Sequence, residues 1–231
     1  MKKVVVFLLI SLLSLGLTCI TYASKAPLYN QNNVLVGANF NDAPGSSDMT
    51  LIFRLTADGK ILVDEGSPVK YITSPDNADI VGWTQANYDD SAWKDGISGV
   101  GFADNDDNTT VPTGLVSIWT RYYFDAPNAD SVKELILLAD YDDQYVAWLN
   151  GVKIAASAGA PAEDPPAWNA TEAGGVNRGS AELPAGKPNE ARWSAAQIEK
   201  VVVDFEFISA SPVEAKGKIT ATWASLKKAD D

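Results

Sequence analysis

Runs in which apolar and polar residues alternate with period two dominate this chain of 231 residues. That period belongs to a strand with one face buried and the other wet. In Val201-Val202-Val203-Asp204-Phe205-Glu206-Phe207, residues Val201, Val203, Phe205 and Phe207 share a face, and Asp204 and Glu206 lie opposite. Across 116–124, Val116, Ile118, Tyr122 and Phe124 point one way, and Ser117, Trp119, Arg121 and Tyr123 the other. Residues 218–223 repeat the pattern with Ile219, Ala221 and Trp223. Leu135-Ile136-Leu137-Leu138-Ala139 is apolar on both sides, as in a strand covered on both faces. Helical periodicity is confined to short turns at 88–93 and 194–199.

Turn chemistry places two hairpins. Strand 144–149, Asn150-Gly151 and strand 152–155 form the first, because Asn-Gly favours positive φ at both turn positions. Strand 51–55, a longer loop Ala57-Asp58-Gly59-Lys60 and strand 61–63 form the second. Many short strands punctuated by Gly, Pro, Asn and Asp predict an all-β protein, an antiparallel β-sandwich. Residues 157–189, rich in Ala, Gly, Pro and Glu, are expected to form a long irregular loop.

The first residues carry no fold information. Lys2 and Lys3, an apolar run from Val4 to Ile20 and the small-residue site Thr21-Tyr22-Ala23 predict a secretory signal over 1–23. Residues 24–65 are expected to be an N-terminal extension joining the sheet, and 66–231 the sandwich domain. Cleavage removes two lysines and the single cysteine, Cys19, and takes the formal net charge from -12 to -14. The expected product is secreted or held in the cell envelope, without disulfides. Such an acidic surface disfavours nucleic acid and anionic membranes as partners. The chain has no histidine, which removes His-dependent nucleophiles, histidine general bases and His-ligated zinc. Nucleotide loops and Gly-x-Ser-x-Gly are also missing, and the chain is expected not to be an enzyme. The catalytic alternatives are a carboxylate pair drawn from the 30 acidic residues and a Tyr/Arg lyase set, Arg121 and Tyr123 on one strand face.

The run Ala139-Asp140-Tyr141-Asp142-Asp143-Gln144-Tyr145-Val146-Ala147-Trp148-Leu149-Asn150-Gly151-Val152-Lys153-Ile154 resembles the hairpin of galactose-binding-like jelly-roll domains. Upstream, Trp83, then Tyr88-Asp89-Asp90-Ser91-Ala92-Trp93-Lys94, Gly96, Gly99, Gly101-Phe102 and Asp104 are similar to the segment those domains carry before a Tyr-Phe strand, here Arg121-Tyr122-Tyr123-Phe124. The likeness covers roughly residues 69–156. It implies a jelly-roll sandwich and raises sugar binding, since such domains serve as sugar-binding modules of β-galactosidase- and rhamnosidase-type enzymes and as exported bacterial modules.

Glycan sites need aromatic faces for sugar C–H groups and polar neighbours for hydroxyls. Trp168, in the irregular segment, is a candidate platform, or a pin that holds its loop to the domain. Trp148 either covers the second sheet face beneath that loop or stacks on a ligand. Asp143, Asn177 and Arg178 are candidate polar partners. The loop Asp104-Asn105-Asp106-Asp107-Asn108 offers Asp104, Asp106 and Asp107 as calcium ligands, although Thr109 stands where an EF-hand loop has Gly; a solvated acidic loop is the alternative. Asp140, Asp142 and Asp143 could also bind an ion, or bond backbone amides at the start of the hairpin. The expected function is an exported, non-catalytic carbohydrate-binding module, with calcium as a candidate stabiliser. The alternative is a surface or matrix sandwich that binds proteins or simply packs.

Overall fold

The computed structural model describes residues 25–41, 48–73, 80–103, 107–170, 179–181 and 189–211. The expected signal, including Cys19, and the expected strand at 218–223 lie outside them. Strands β1 (Ala26–Leu28), β2 (Asn33–Phe40), β3 (Met49–Ala57), β4 (Lys60–Val63) and β5 (Pro68–Thr73) precede one helical turn, α1 (Ile80–Trp83). Next come β6 (Lys94–Ile97), β7 (Val100–Phe102), β8 (Thr109–Thr110), β9 (Ser117–Phe124), β10 (Leu135–Asp142), β11 (Gln144–Leu149) and β12 (Val152–Ala156). A 3-10 turn at Asn189–Ser194 leads to β13 (Glu199–Val202) and β14 (Phe205–Phe207).

These strands form an all-β sandwich. The first sheet has the order β13-β10-β3-β7-β8, with β4 also on β3; the second has the order β12-β11-β2-β9-β5-β6. Most pairings are antiparallel, and β7 with β8 and β1 with β14 are parallel. Alternation decides what lies between the sheets: Leu51, Phe53, Leu55, Leu135 and Leu137 from one meet Leu35, Ile118, Tyr122, Tyr145 and Leu149 from the other. Residues 24–65, expected as an extension, contribute the middle of both sheets. β2 runs between β11 and β9, and β3 pairs from Thr50 to Ala57 with β10. One flank is tied across the sheets by the Thr109 hydroxyl, which accepts from the Ile97 N–H and donates to the Ile97 carbonyl, both at 2.7 Å.

The β11–β12 hairpin forms as expected, with Asn150 at φ 50° and Gly151 at φ 89°. The Asn150 side chain also accepts from the Val34 N–H at 2.8 Å and donates to the Pro27 carbonyl at 2.7 Å, which anchors the turn to the neighbouring strands. The β3–β4 hairpin is tighter than expected: its turn is the two residues Asp58 and Gly59, both at positive φ. The run 201–207 is broken into two strands. At Val203 the N–H still donates to Leu135, but the Asp204 carbonyl accepts from Ala26, so the chain leaves the first sheet and pairs with β1. Val201, Val203, Phe205 and Phe207 nevertheless all pack on the inner core, so the expected common face holds while the continuity does not. The expected turns at 88–93 and 194–199 are single hydrogen-bonded turns, Trp93 N–H to the Asp90 carbonyl at 2.9 Å and Ile198 N–H to the Ala195 carbonyl at 3.3 Å, and the helical turns lie upstream of them. Asp89 accepts from the Ser91 N–H at 3.0 Å, a local bond that competes with helix at 88–93.

The outer face of the second sheet carries another core. Val34, Val36, Ala38, Phe40, Trp119, Val146 and Trp148 are covered there by Trp83 and Trp93 from the α1 region. Trp83 meets Trp119 edge-on at 5.0 Å and Trp93 at 5.3 Å, a geometry that suits the ring quadrupoles.

The outer face of the first sheet is held by charge. Arg54 on β3 makes a two-point contact with Asp64, both bonds 2.8 Å, and a second with Glu190, and its guanidinium lies 5.0 Å from the Trp193 ring. Buried Arg192 pairs with Asp140 on β10 and with Glu65 at 3.2 Å. Burial disfavours the Arg54 charge, but the bonds to Asp64 and Glu190 outweigh it and raise its pKa. The Glu190 carboxyl is held below its ordinary value of 4.5 by its hydrogen bond to Arg54 and then by that charge. A lowered carboxyl pKa stabilises the fold above the unfolded value and stops doing so as pH falls through the folded one. The urea midpoint is therefore expected to stay level from neutral pH to about pH 5 and then fall. Glu190→Gln should remove part of that acid dependence; an identical pH profile in the variant would show that the pair contributes nothing.

Candidate functional site

Trp148 is not open to a ligand. It is 1% exposed, stacks on Trp119 with centroids 5.6 Å apart and planes 12° apart, and donates from Nε1 to Asp164 at 2.8 Å. The irregular loop lies over it, with Ala160 and Ala170 packed on the same cluster. Of the two expected roles it has the covering one. Asp143 is 2% exposed at the corner between β10 and β11, so it is also withdrawn from any surface ligand. Its neighbour Asp140 accepts from the Ala181 N–H at 2.7 Å and pairs with Arg192, tying the chain after the loop to the sheet. Trp168 is half-buried, and its carbonyl accepts from the Ser117 hydroxyl at 2.6 Å, so its loop is pinned at the start of β9. Asn177, Arg178, Asp104 and Asp106 lie outside the described residues. Asp107 accepts from Thr50 at 3.4 Å. Among the described residues no group of three His, Cys, Asp or Glu side chains is placed to hold a metal ion.

The residues that do form a site lie at the other end of β9. Strand alternation sends Trp119, Arg121 and Tyr123 to the outer face. Trp119 is sealed under the second core, and Arg121 is fully buried beside it. Every N–H of Arg121 has an acceptor. Nε donates to Asp90 at 2.9 Å, Nη1 to the carbonyls of Trp83 and Gln85, and Nη2 to Gln85 and to the Tyr123 hydroxyl at 2.9 Å. The Tyr123 hydroxyl in turn donates to Asp90. The guanidinium is also close to the rings of Tyr88 at 5.4 Å, Tyr123 at 5.5 Å and Trp93 at 6.0 Å. Arg121 thus clamps the 83–93 segment on the sheet and fixes Tyr123 from behind.

Tyr123 is 50% exposed, and its hydroxyl is held between Arg121 and Asp90. It stands at a pocket of about 350 Å³, the size of a small-ligand site. The pocket opens between β4 of one sheet and β5 and β9 of the other. Buried Val63, Val69 and Tyr122 line its inner side, and exposed Pro68, Asp95 and Tyr123 its rim. Lys70, opposite Arg121 in the β5–β9 register, reaches Asp95 at 2.7 Å. An apolar wall, an aromatic ring and a paired donor and acceptor therefore share one opening. Trp168 is not part of it, because Ser117 and Tyr123 are about 20 Å apart along the strand at 3.4 Å per residue.

The chain matches no protein-family model, no curated protein and no solved structure.

The groups at the pocket suit binding better than proton transfer. Burial raises the Tyr123 pKa and the bond to Asp90 adds to it, against the opposing effect of Arg121, so the phenol stays protonated near neutral pH. Arg121 has no N–H left for a substrate. The shared face of Arg121 and Tyr123 is legible in the alternation of 117–124. Asp90 is 31 residues from Arg121, and no local pattern announces that it reaches Arg121 and Tyr123 together.

Proposed function

We propose that this protein is an exported, non-catalytic carbohydrate-binding module that takes its glycan at the Tyr123 pocket. The observation that carries this reading is a half-exposed tyrosine ring immobilised by Arg121 and Asp90 at the mouth of a mixed apolar and polar pocket. Sugar rings bind through apolar C–H faces and ordered hydroxyls, and a platform fixed before binding loses little rotamer freedom on contact. The signal-like N-terminus and the likeness of residues 69–156 to galactose-binding-like jelly rolls support the same assignment.

Affinity electrophoresis against a panel of polysaccharides, followed by calorimetry on those that retard the protein, tests it. Tyr123→Ala is expected to weaken binding about ten-fold or more. Tyr123→Phe keeps the ring but loses the bonds to Arg121 and Asp90, so its affinity should fall between those of the wild type and Tyr123→Ala, and Trp168→Ala should change little. Unaltered affinity in Tyr123→Ala would place the glycan elsewhere. The second reading, a sandwich that packs on other proteins, draws on Val202, 65% exposed, and exposed Ile208 at the β13–β14 side. Folded protein that retains no polysaccharide would leave that reading standing.

A further inference from the structure

Lys70, the cation that lines the Tyr123 pocket, and Arg121 behind it each already have a carboxylate. Arg121 is held by Asp90 at 2.9 Å and Lys70 by Asp95 at 2.7 Å. Lys94, on the adjoining strand, is directed to the ring of Tyr71, with Nζ 5.9 Å from its centroid. The two members of the rim pair differ in access: the Lys70 side chain is 27% exposed and that of Asp95 85%. A molecule entering the pocket therefore meets the carboxylate before the ammonium, on a chain whose formal net charge is -12.

Resting on the carbohydrate reading above, we infer that the pocket selects neutral glycans and rejects uronates and sulfated chains. Adjacent hydroxyls of a neutral pyranose each donate and accept, so they can satisfy the Asp95 carboxylate and the Lys70 ammonium together while the ring lies on Tyr123. A carboxylate or sulfate at the same place can accept from a remaining Lys70 N–H only by lying beside the Asp95 carboxylate that already neutralises that ammonium at 2.7 Å. Like-charge juxtaposition of this kind is how binding sites reject wrong partners.

The test uses one backbone in three forms: whichever neutral polysaccharide the protein retains, its hydroxyethyl derivative and its carboxymethyl derivative, the last two matched for bulk and differing in charge. At low salt the carboxymethyl form is expected to bind about five-fold or more weakly than the hydroxyethyl form, and added salt should narrow the gap. Asp95→Asn releases Lys70 and should close or reverse the preference, whereas Lys70→Met should weaken neutral binding several-fold and deepen the rejection. Equal or tighter binding of the carboxymethyl form by the wild type would overturn the charge inference and leave the carbohydrate reading intact. Equal preference in the wild type and Asp95→Asn would also overturn it. Failure of folded protein to bind any of the three, or any neutral polymer of the panel, overturns the carbohydrate reading itself.

Discussion

Arg121→Ala is expected to lower the unfolding free energy by about 3–5 kcal/mol, among the largest single losses available in this chain. Truncation leaves the buried Trp83 carbonyl and the partly buried acceptors of Gln85 and Asp90 without their shared donor and removes the contact that holds the 83–93 segment on the sheet. Removing one partner of a buried charge pair costs more than the pair gained, because the other group stays desolvated. Lysine should not rescue it, since one ammonium cannot reproduce the planar five-donor fork that meets a carboxylate, two carbonyls and a phenol. Urea denaturation followed by tryptophan fluorescence measures the effect, and four tryptophans in the second core make the signal sensitive to that face. A loss under about 1 kcal/mol would show that the clamp is dispensable. Glycan affinity of the folded variant should fall too, because Tyr123 then loses the group that immobilises it.

Trp148→Ala is expected to cost a similar amount, about 3–5 kcal/mol, for a different reason. The indole fills the space between the second sheet and the irregular loop, stacked on Trp119 and bonded to Asp164. Its removal leaves a cavity that neither the strands nor Trp119 can close. Trp148→Phe should recover part of the loss, and Asp164→Ala alone should cost only about 1 kcal/mol, the net worth of one hydrogen bond. The folded Trp148→Ala protein should keep its glycan affinity, since Trp148 lines no part of the Tyr123 pocket. Wild-type stability combined with lost glycan binding would reverse the assignment and make Trp148 a platform after all.

Local chemistry made much of the fold legible. The alternation in 117–124 sorted Ile118, Tyr122 and Phe124 inward and Trp119, Arg121 and Tyr123 outward, as the two cores require. Asn150-Gly151 announced its hairpin because few residues tolerate that backbone. The break at Val203 was hidden, since the side-chain pattern runs through it and only the pairing partner changes, from β10 to β1. The site was less legible than the fold. Trp168 and Trp148 were sensible platforms by residue type, and burial, which residue type does not encode, withdrew Trp148.

By itself the sequence determined the β class, the inward and outward faces of 117–124, the Asn150-Gly151 turn and the lack of any imidazole, because each follows from composition or from neighbours a few residues apart. Only the tertiary structure decided which outward-facing aromatic stays in the open. Trp119 and Tyr123 point the same way from one strand. A segment from earlier in the chain seals the first and, through Asp90, merely braces the second. Exposure depends on what covers a face, and the covering segments are distant in sequence.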